Sequence, residues 1–392
     1  MKHYDLIIVG GGMVGLALAG QLKSSQLKVA LIDSKGIELD WSQGYDLRVS
    51  AITRASENLF KQVGAWPLIE ANQKSPYQKM SVWDGESSQG SIEFKATSIG
   101  EDNLGHIIEN RVLRKALYQS GQSASNIDYY FERQCQSVDY QAEHAELLLA
   151  DGERLTAKLL VAADGAFSWL RQNSGIEVRE KPYGHKALVA TIKTEQSHEA
   201  TAFQRFDQHG PLAFLPLPDP NYCSIVWSTK ESFADYLLQL EPEDFEQQLQ
   251  QDFEQRLGTV TLASQRLAFP LIERTVATSI QPRLALIGDA AHTIHPLAGQ
   301  GVNLGFADAK VLAETILKAA AKTKDIGSLA CLRPYQRQRQ GDIWLMQQAM
   351  QSFKSLFEQT HPAVQTARAW GMKLLDKQPA LKQQVIKKAL GF

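Results

Sequence analysis

Residues 10–15 read Gly-Gly-Gly-Met-Val-Gly and directly follow the apolar run Tyr4–Val9. The run predicts a buried parallel strand, and the apolar residues after Gly15 predict a helix. In the Gly-x-Gly-x-x-Gly pattern the first glycine permits a tight turn and the second lets backbone approach a pyrophosphate. The third lets the helix pack closely on the strand. The stretch therefore predicts a nucleotide-binding turn.

A second apolar run at residues 29–32 completes a βαβ unit and ends at Asp33. A carboxylate at this place can accept hydrogen bonds from ribose hydroxyls. Taken alone, the pattern could be a glycine-rich turn without a ligand, but the flanking strands and the acid favour a dinucleotide. The predicted cofactor contacts of this unit are Gly10, Gly12, Val14, Gly15 and Asp33.

Two later stretches extend this prediction. Ala163-Asp164-Gly165 follows an apolar run, and on its own it is a common turn. Gly288-Asp289 ends another apolar run and leads to a loop rich in glycine, followed by a helix near Val302. Glycines in such a loop let backbone lie against a flat ring, and the helix N-terminus can stabilise negative charge on a reduced flavin. The three stretches in this order predict FAD, with further contacts at Asp164, Asp289, Pro296, Gly299, Gly301, Val302 and Asn303.

The composition limits the remaining function classes. The chain has 392 residues, 41 Lys and Arg against 43 Asp and Glu, and a formal net charge of −2, so a nucleic-acid partner is not expected. Its three cysteines form no Cys-x-x-Cys pair, which argues against a metal site and favours a reducing compartment. No signal peptide or apolar span of membrane length is expected either. These features predict a cytoplasmic protein that meets a membrane, if at all, from the side.

The patterns alternate along the chain between two domain types. We predict an α/β composite in which a Rossmann-type FAD-binding domain is interleaved with an antiparallel β-sheet substrate domain, followed by a helical C-terminus. The expected FAD-binding domain comprises residues 1–75, 100–180 and 275–320. The expected substrate domain comprises residues 76–99 and 181–274, and the C-terminal helices residues 321–392.

Several further motifs carry a family resemblance that covers essentially the full length. The chain resembles FAD-dependent aromatic hydroxylases of the p-hydroxybenzoate hydroxylase type and, among them, the ubiquinone-biosynthesis hydroxylases. Besides the cofactor stretches, the resemblance rests on residues 46–52, residues 105–110 with Arg111, residues 210–217 and residues 292–305.

The resemblance implies a flavin monooxygenase. NAD(P)H or another electron donor would reduce FAD, dioxygen would give a C4a-hydroperoxide, and the ring of a polyprenylated phenol would be hydroxylated. It also implies that Arg48 approaches the pyrophosphate and that Arg111 lies on the flavin side. The alternatives are an FAD hydroxylase or epoxidase of another aromatic or alkene, and an FAD-holding scaffold subunit of a biosynthetic complex.

The reaction needs few titrating side chains because the cofactor carries the chemistry. The backbone near Pro296 is a candidate to bind reacting oxygen, and His295 is a candidate to deprotonate a phenol or, alternatively, to orient the loop. Phe214, Leu215 and Trp227 are candidates for an apolar pocket, with the protein core as the alternative.

The C-terminal residues 361–392 suggest a partner. They carry six basic residues against one acid, interspersed with tryptophan, methionine and leucine. This pattern fits a membrane surface or a lipid-presenting partner within a ubiquinone-biosynthesis complex. The alternative is a solvated helical face packed on the core.

Overall fold

The computed structural model describes residues 1–41, 44–85, 90–207, 209–293, 301–357 and 361–390. The strands are β1 (Lys2–Val9), β2 (Val29–Asp33), β3 (Val49–Ile52), β4 (Ser75–Pro76), β5 (Lys79–Asp84), β6 (Ser91–Lys95), β7 (His106–Glu109), β8 (Ile127–Phe131), β9 (Cys135–Tyr140), β10 (Ala145–Leu149), β11 (Arg154–Ala162), β12 (Val178–Thr194), β13 (Thr201–Asp207), β14 (Gly210–Pro216), β15 (Tyr222–Lys230), β16 (Val260–Leu262), β17 (Leu267–Val276), β18 (Ile280–Gln281), β19 (Leu284–Leu286) and β20 (His292–Thr293). The helices are α1 (Met13–Leu22), α2 (Arg54–Gln62), α3 (Asn110–Gly121), α4 (Trp169–Gln172), α5 (Glu231–Gln239), α6 (Pro242–Asp252), α7 (Gly301–Ala320), α8 (Leu329–Phe357), α9 (Pro362–Asp376) and α10 (Pro379–Leu390). Short 3₁₀ turns occupy Trp66–Leu68, Ala71–Gln73, Ala96–Ile99 and Gly288–Ala290.

The first sheet has a parallel centre in the order β19-β11-β1-β2-β8. The C-terminal halves of the middle strands, residues 6–9 of β1 and residues 159–162 of β11, are apolar and buried at every position because both faces are covered there. Helices α1, α3 and α7 cover one face, and their side chains join those of β1 and β2 in one hydrophobic core. The βαβ unit is confirmed, and strands far apart in the chain lie next to each other in this sheet.

The second sheet has the order β20-β17-β12-β15-β14-β13-β5-β6, with β16 beside β12. Its pairs are antiparallel except β13 with β5, which run parallel. One face packs on α5 and α6 around Phe245 and Leu249, both fully buried. The predicted fold class is therefore confirmed: a Rossmann-type domain is interleaved with a β-sheet domain and followed by helices. The domain boundaries remain a proposal; β12 begins at Val178 and β17 ends at Val276, so both strands cross the proposed limits of the substrate domain.

A small third sheet, β3-β7-β4, joins the two larger parts. Beside it, the carboxylate of Glu57 is buried and bonded to Arg54, while Lys61 Nζ lies 2.6 Å from its Oε1 and His106 Nδ1 lies 3.5 Å from its Oε2. Burial alone would raise the pKa of Glu57, but its contacts with His106 and Lys61 and the charge of Arg54 lower it to about 2. Glu57 is thus held as a carboxylate.

We expect Glu57→Gln to lower the free energy of unfolding by about 2 kcal/mol at neutral pH, because the substitution leaves Arg54 without its buried partner. The folded-state pKa is depressed, so this stabilisation is present above pH 4.5 and is lost as the pH falls toward 2. Urea unfolding of both proteins at stepped pH values measures the difference. The matched control is Glu101→Gln, since Glu101 also faces Arg54 at 3.3 Å but is more exposed. A difference that does not shrink below pH 4.5 would contradict this assignment.

The C-terminal helices α9 and α10 pack on the second sheet near β6 and on the 3₁₀ turn Ala96–Ile99. Their main polar anchor is Arg368, which is buried and donates to both carboxylate oxygens of Asp84 at 2.7 and 2.8 Å. Among the described residues, no helix combines the length and apolar character that a transmembrane span requires.

Candidate functional site

The first two cofactor stretches touch through Gly10. Its φ of +113° favours glycine, and an added Cβ would lie 2.3 Å from the Ala163 carbonyl oxygen and 2.6 Å from the Asp164 nitrogen. Gly15 is equally confined, because its Cβ would lie 2.0 Å from the Gly10 oxygen. These two positions therefore require glycine to hold the turn, the helix and β11 together.

The third stretch packs against the same turn through the side chain of Val14. An added Cβ at Gly288 would lie 3.3 Å from the Val14 methyl groups, and one at Gly305 would lie 2.6 Å from Val14 Cγ2. The first turn of α1 therefore fits between the end of β19 and the start of α7. Residues from the beginning, the middle and the far part of the chain converge here.

Gly12 differs from its neighbours because an added Cβ would meet no atom of the described residues within 4 Å. It precedes α1 in an extended conformation, and no side chain in the described ranges caps the helix. Within the described ranges, the first N–H groups of α1 therefore have no side-chain cap, and the positive end of the helix dipole lies at this turn. This arrangement suits the phosphates of a dinucleotide.

Asp33 lies beside this turn at the end of β2. Its Oδ2 accepts a hydrogen bond of 2.6 Å from the Gly11 N–H, and its Oδ1 accepts one of 2.7 Å from the Lys35 N–H. Arg114 of α3 adds a second contact, since its Nε donates to the Gly11 oxygen at 2.8 Å and its Nη2 lies 3.8 Å from Asp33. Sequence reasoning missed Arg114, which matches no cofactor motif.

Asp289 lies just after β19, in the short 3₁₀ turn Gly288–Ala290. Its side chain is exposed to solvent, yet the surrounding protein desolvates it and raises the pKa of its carboxyl. The charges of His292, Arg48 and Arg274 oppose that shift. An exposed but desolvated acid can accept hydrogen bonds from a ligand hydroxyl placed beside it. Arg48 is also exposed, and its guanidinium lies 5.4 Å from the ring centre of Phe269.

A buried ion cluster supports the Asp289 turn from behind. Asp308 of α7 is fully buried, and its Oδ2 accepts from the Gly288 N–H at 2.9 Å and bonds His292 Nε2 at 2.7 Å. Its Oδ1 accepts from Arg339 Nε of α8 at 2.6 Å. Burial alone would raise the pKa of Asp308, but His292 and Arg339 lower it below its usual value. The sequence signal for this cluster was a lone aspartate inside an otherwise apolar stretch of helix.

Three predicted contact residues are engaged within the protein. The Asp164 carboxylate accepts from Ser168 Oγ at 2.5 Å and from the Leu170 N–H at 3.1 Å, at the start of α4. Burial raises its pKa, and these hydrogen bonds oppose the shift. Arg111 Nε donates to Glu109 at 2.8 Å, and its guanidinium lies 4.7 Å from the ring centre of Trp41.

Asn303 likewise connects structural elements. Its Nδ2 donates to the Ala51 oxygen at 2.8 Å, and its Oδ1 accepts from Ser56 Oγ at 2.7 Å. It thereby fastens α7 to β3 and α2. Gly301 and Val302 form the first turn of α7, close to this junction. The predictions for His295, Pro296 and Gly299 lie outside the described residues.

The candidate pocket residues face opposite sides of the second sheet. Phe214 and Trp227 point toward α5 and α6, where Phe214 stacks on Phe253 at 3.5 Å between ring centres and Trp227 contacts Phe233 at 5.7 Å. Both belong to the hydrophobic core. Leu215 points to the other face, which turns toward the FAD-binding domain.

Two contacts identify that face. Leu215 is the register partner of Ser224, two residues after Tyr222, and the Tyr222 ring lies 5.7 Å from that of Tyr45. Phe269, on the same face of β17, contacts Arg48. Tyr45 and Arg48 both lie in the segment before β3, which belongs to the predicted FAD-binding domain. The sheet face that carries Leu215 and Phe269 is therefore turned toward the cofactor region.

The sequence matches known proteins along nearly its whole length. A family model described as an FAD binding domain matches residues 3–349. A 3-demethoxyubiquinol 3-hydroxylase of Escherichia coli strain K12 is 34% identical, over 99% of this chain and 98% of its own. The ubiquinone hydroxylase UbiL of Rhodospirillum rubrum is 33% identical, over 100% of this chain and 90% of its own.

Solved structures share the fold. The p-nitrophenol 4-monooxygenase PnpA of Pseudomonas putida DLL-E4 superimposes with a TM-score of 0.81 at 16% identity, covering 99% of this chain and 98% of its own. The flavin-dependent monooxygenase PieE, solved with FAD and substrate, gives a TM-score of 0.71 at 17% identity, covering 99% of this chain and 71% of its own. At these identities the likeness is one of architecture.

Proposed function

The chain belongs to the family of flavin-dependent aromatic monooxygenases that carry this FAD-binding domain, and from this premise we propose that it hydroxylates the aromatic ring of a polyprenylated phenol in ubiquinone biosynthesis. The observation that carries the proposal is the convergence of three distant stretches on Gly10 and Val14. Full-length similarity to hydroxylases named for ubiquinone chemistry supports the substrate class.

The residues present fit FAD. Gly12 and the uncapped N-terminus of α1 would receive the pyrophosphate, Asp33 would bind ribose hydroxyls, and Asp289 would accept from a further hydroxyl of the ligand. Bound flavin supplies the redox chemistry that activates dioxygen, with electrons from NAD(P)H or another donor. We keep Arg48 as a proposed pyrophosphate contact, because it is exposed and electrostatically coupled to Asp289.

On the substrate side, the protein's task is to orient the ring and exclude water. We propose that Leu215 lines the substrate pocket, since it lies on the sheet face that is turned toward the cofactor region. Phe214 and Trp227 lie on the other face and support the sheet from the core. His295 and the backbone of Pro296 stay proposed as groups near the reacting oxygen.

The substrate's polyprenyl tail bears on where the protein works. Such a tail does not travel free in water, so we propose a cytoplasmic protein that acts at the periphery of the inner membrane. There it would receive its phenol from the bilayer, or from a lipid-presenting partner in a biosynthetic complex.

Isotope labelling tests the proposal. Purified holoprotein is supplied with NAD(P)H, ¹⁸O₂ and a prenylated phenol dispersed in detergent, and the product is analysed by mass spectrometry. We expect one ¹⁸O atom on the ring. Label on an alkene of the tail would indicate an epoxidase, and donor oxidation that yields only hydrogen peroxide with every phenol offered would indicate an FAD-holding scaffold.

A further inference from the structure

The outer sides of α9 and α10 expose large apolar side chains. The exposed fractions are 66% for Trp370, 43% for Leu374, 51% for Leu381 and 41% for Val385. On each helix the two are four residues apart, so they lie on one side of it. We call the exposed side the C-terminal outer face, defined by Trp370, Lys373, Leu374, Lys377, Leu381, Gln384, Val385 and Lys387.

The opposite side of the same helices is firmly attached. Arg368 forms its buried pair with Asp84, Ile386 packs in a cluster with Ala96 and Leu104, and Gln383 Nε2 donates to the Ser98 oxygen at 2.7 Å. Both helices are therefore amphipathic elements whose inner side already has its partner. The apolar residues of the outer face are held outward by this anchoring.

The outer face is also positively charged. Residues 361–390 contain a single acid, Asp376, whose carboxylate accepts from Lys382 Nζ at 2.7 Å and from the Glu93 N–H at 3.2 Å. Lys373, Lys377 and Lys387 form no ion pair within the described ranges. Each helix thus presents apolar side chains next to uncompensated lysines.

We propose that the C-terminal outer face docks on the surface of an anionic phospholipid bilayer. Tryptophan and leucine flanked by lysine suit the headgroup boundary, where apolar side chains enter the acyl region and ammonium groups meet lipid phosphates. A protein partner would have to supply an apolar groove and acidic side chains at matching positions. An anionic bilayer offers acyl chains and negatively charged phosphates along its whole surface. The inference rests on the proposed function in one respect, since a polyprenylated phenol resides in such a bilayer.

Vesicle sedimentation of the full-length holoprotein tests the inference. The probes are phosphatidylcholine vesicles with and without phosphatidylglycerol. We expect binding to the anionic vesicles that weakens as salt is raised. Lys373→Gln with Lys377→Gln should lower the partition coefficient on the order of 20-fold, and Trp370→Ser with Leu374→Ser should lower it by at least roughly 10-fold.

Matched controls come from α8. Trp344 is 61% exposed, and Arg333 and Arg337 are exposed basic residues, so Trp344→Ser and the double variant Arg333→Gln with Arg337→Gln should leave vesicle binding unchanged. Flavin content confirms that each variant is folded. Equal binding to neutral and anionic vesicles, no binding at all, or equal loss in the controls would overturn the inference.

The two proposals fail separately. Hydroxylation of a detergent-dispersed phenol without vesicle binding would remove the docking surface and leave the proposed function intact. Vesicle binding that depends on the C-terminal outer face, without hydroxylation of any prenylated phenol, would support the docking surface and contradict the proposed function.

Discussion

Gly12→Ala is expected to abolish FAD binding while the apoprotein stays folded. The added methyl group meets no atom of the described protein within 4 Å, and the backbone φ of −73° is accessible to alanine. The methyl group would instead project from the turn before α1, where we propose that the pyrophosphate approaches the backbone. We expect FAD affinity to fall at least ~100-fold, or about 2.7 kcal/mol. Visible flavin absorbance after desalting and titration of the apoprotein with FAD measure the loss.

Two other alanine substitutions serve as controls for this prediction. Gly15→Ala places a Cβ 2.0 Å from the Gly10 oxygen, so it should damage the fold itself as well as cofactor binding. Gly341→Ala in α8 meets no described atom within 4 Å and should leave both unchanged. If the Gly12→Ala protein is purified with a full complement of flavin, the backbone at this turn does not contact the pyrophosphate.

Asp308→Asn is expected to destabilise the protein by about 3–5 kcal/mol, because it removes the buried charge partner of the Arg339 guanidinium and leaves only the exposed Asp342. The Asn side chain also offers one acceptor oxygen in place of the two that serve Gly288, His292 and Arg339. Since Gly288 precedes Asp289, FAD affinity should fall together with stability. Denaturant unfolding followed by circular dichroism and by flavin fluorescence measures both quantities.

The control for this prediction lies on the same arginine. Asp342 also accepts from Arg339, at 2.6 Å, but its side chain is 58% exposed. Asp342→Asn should therefore cost no more than about 1 kcal/mol. Equal effects of the two substitutions would show that the Asp308 cluster does not support the Asp289 turn.

The nucleotide-binding unit could be predicted from sequence because its determinants are local. Gly10, Gly15 and Asp33 belong to one continuous βαβ segment, so their spacing is visible in the sequence, although the atoms that confine Gly10 are those of Ala163 and Asp164. The order of the three stretches then indicated which cofactor they share. Homology to known FAD enzymes agrees with that interpretation.

The pocket and the support of the site could not be predicted in the same way. In β14 both alternating sets, Leu212 with Phe214 and Ala213 with Leu215, are apolar, so alternation does not say which set faces the helices. The Asp308–Arg339 pair joins two helices across 31 residues and belongs to no motif. Asp164 matched a cofactor motif, yet its carboxylate caps a local turn. An aspartate at this position could serve either role, and the sequence does not distinguish them.

The strands of the first sheet come from distant parts of the chain, and this affects how the protein folds during synthesis on the ribosome. Strand β11 needs β19 as its neighbour, and α1 is covered by α7, which ends at Ala320. About four-fifths of the polypeptide must therefore emerge before the nucleotide turn is enclosed. Until then we expect the nascent chain to expose the apolar side of α1 and to hold FAD weakly. We therefore expect ribosome-bound chains that end before α7 to bind chaperones, and flavin to be captured only late in synthesis.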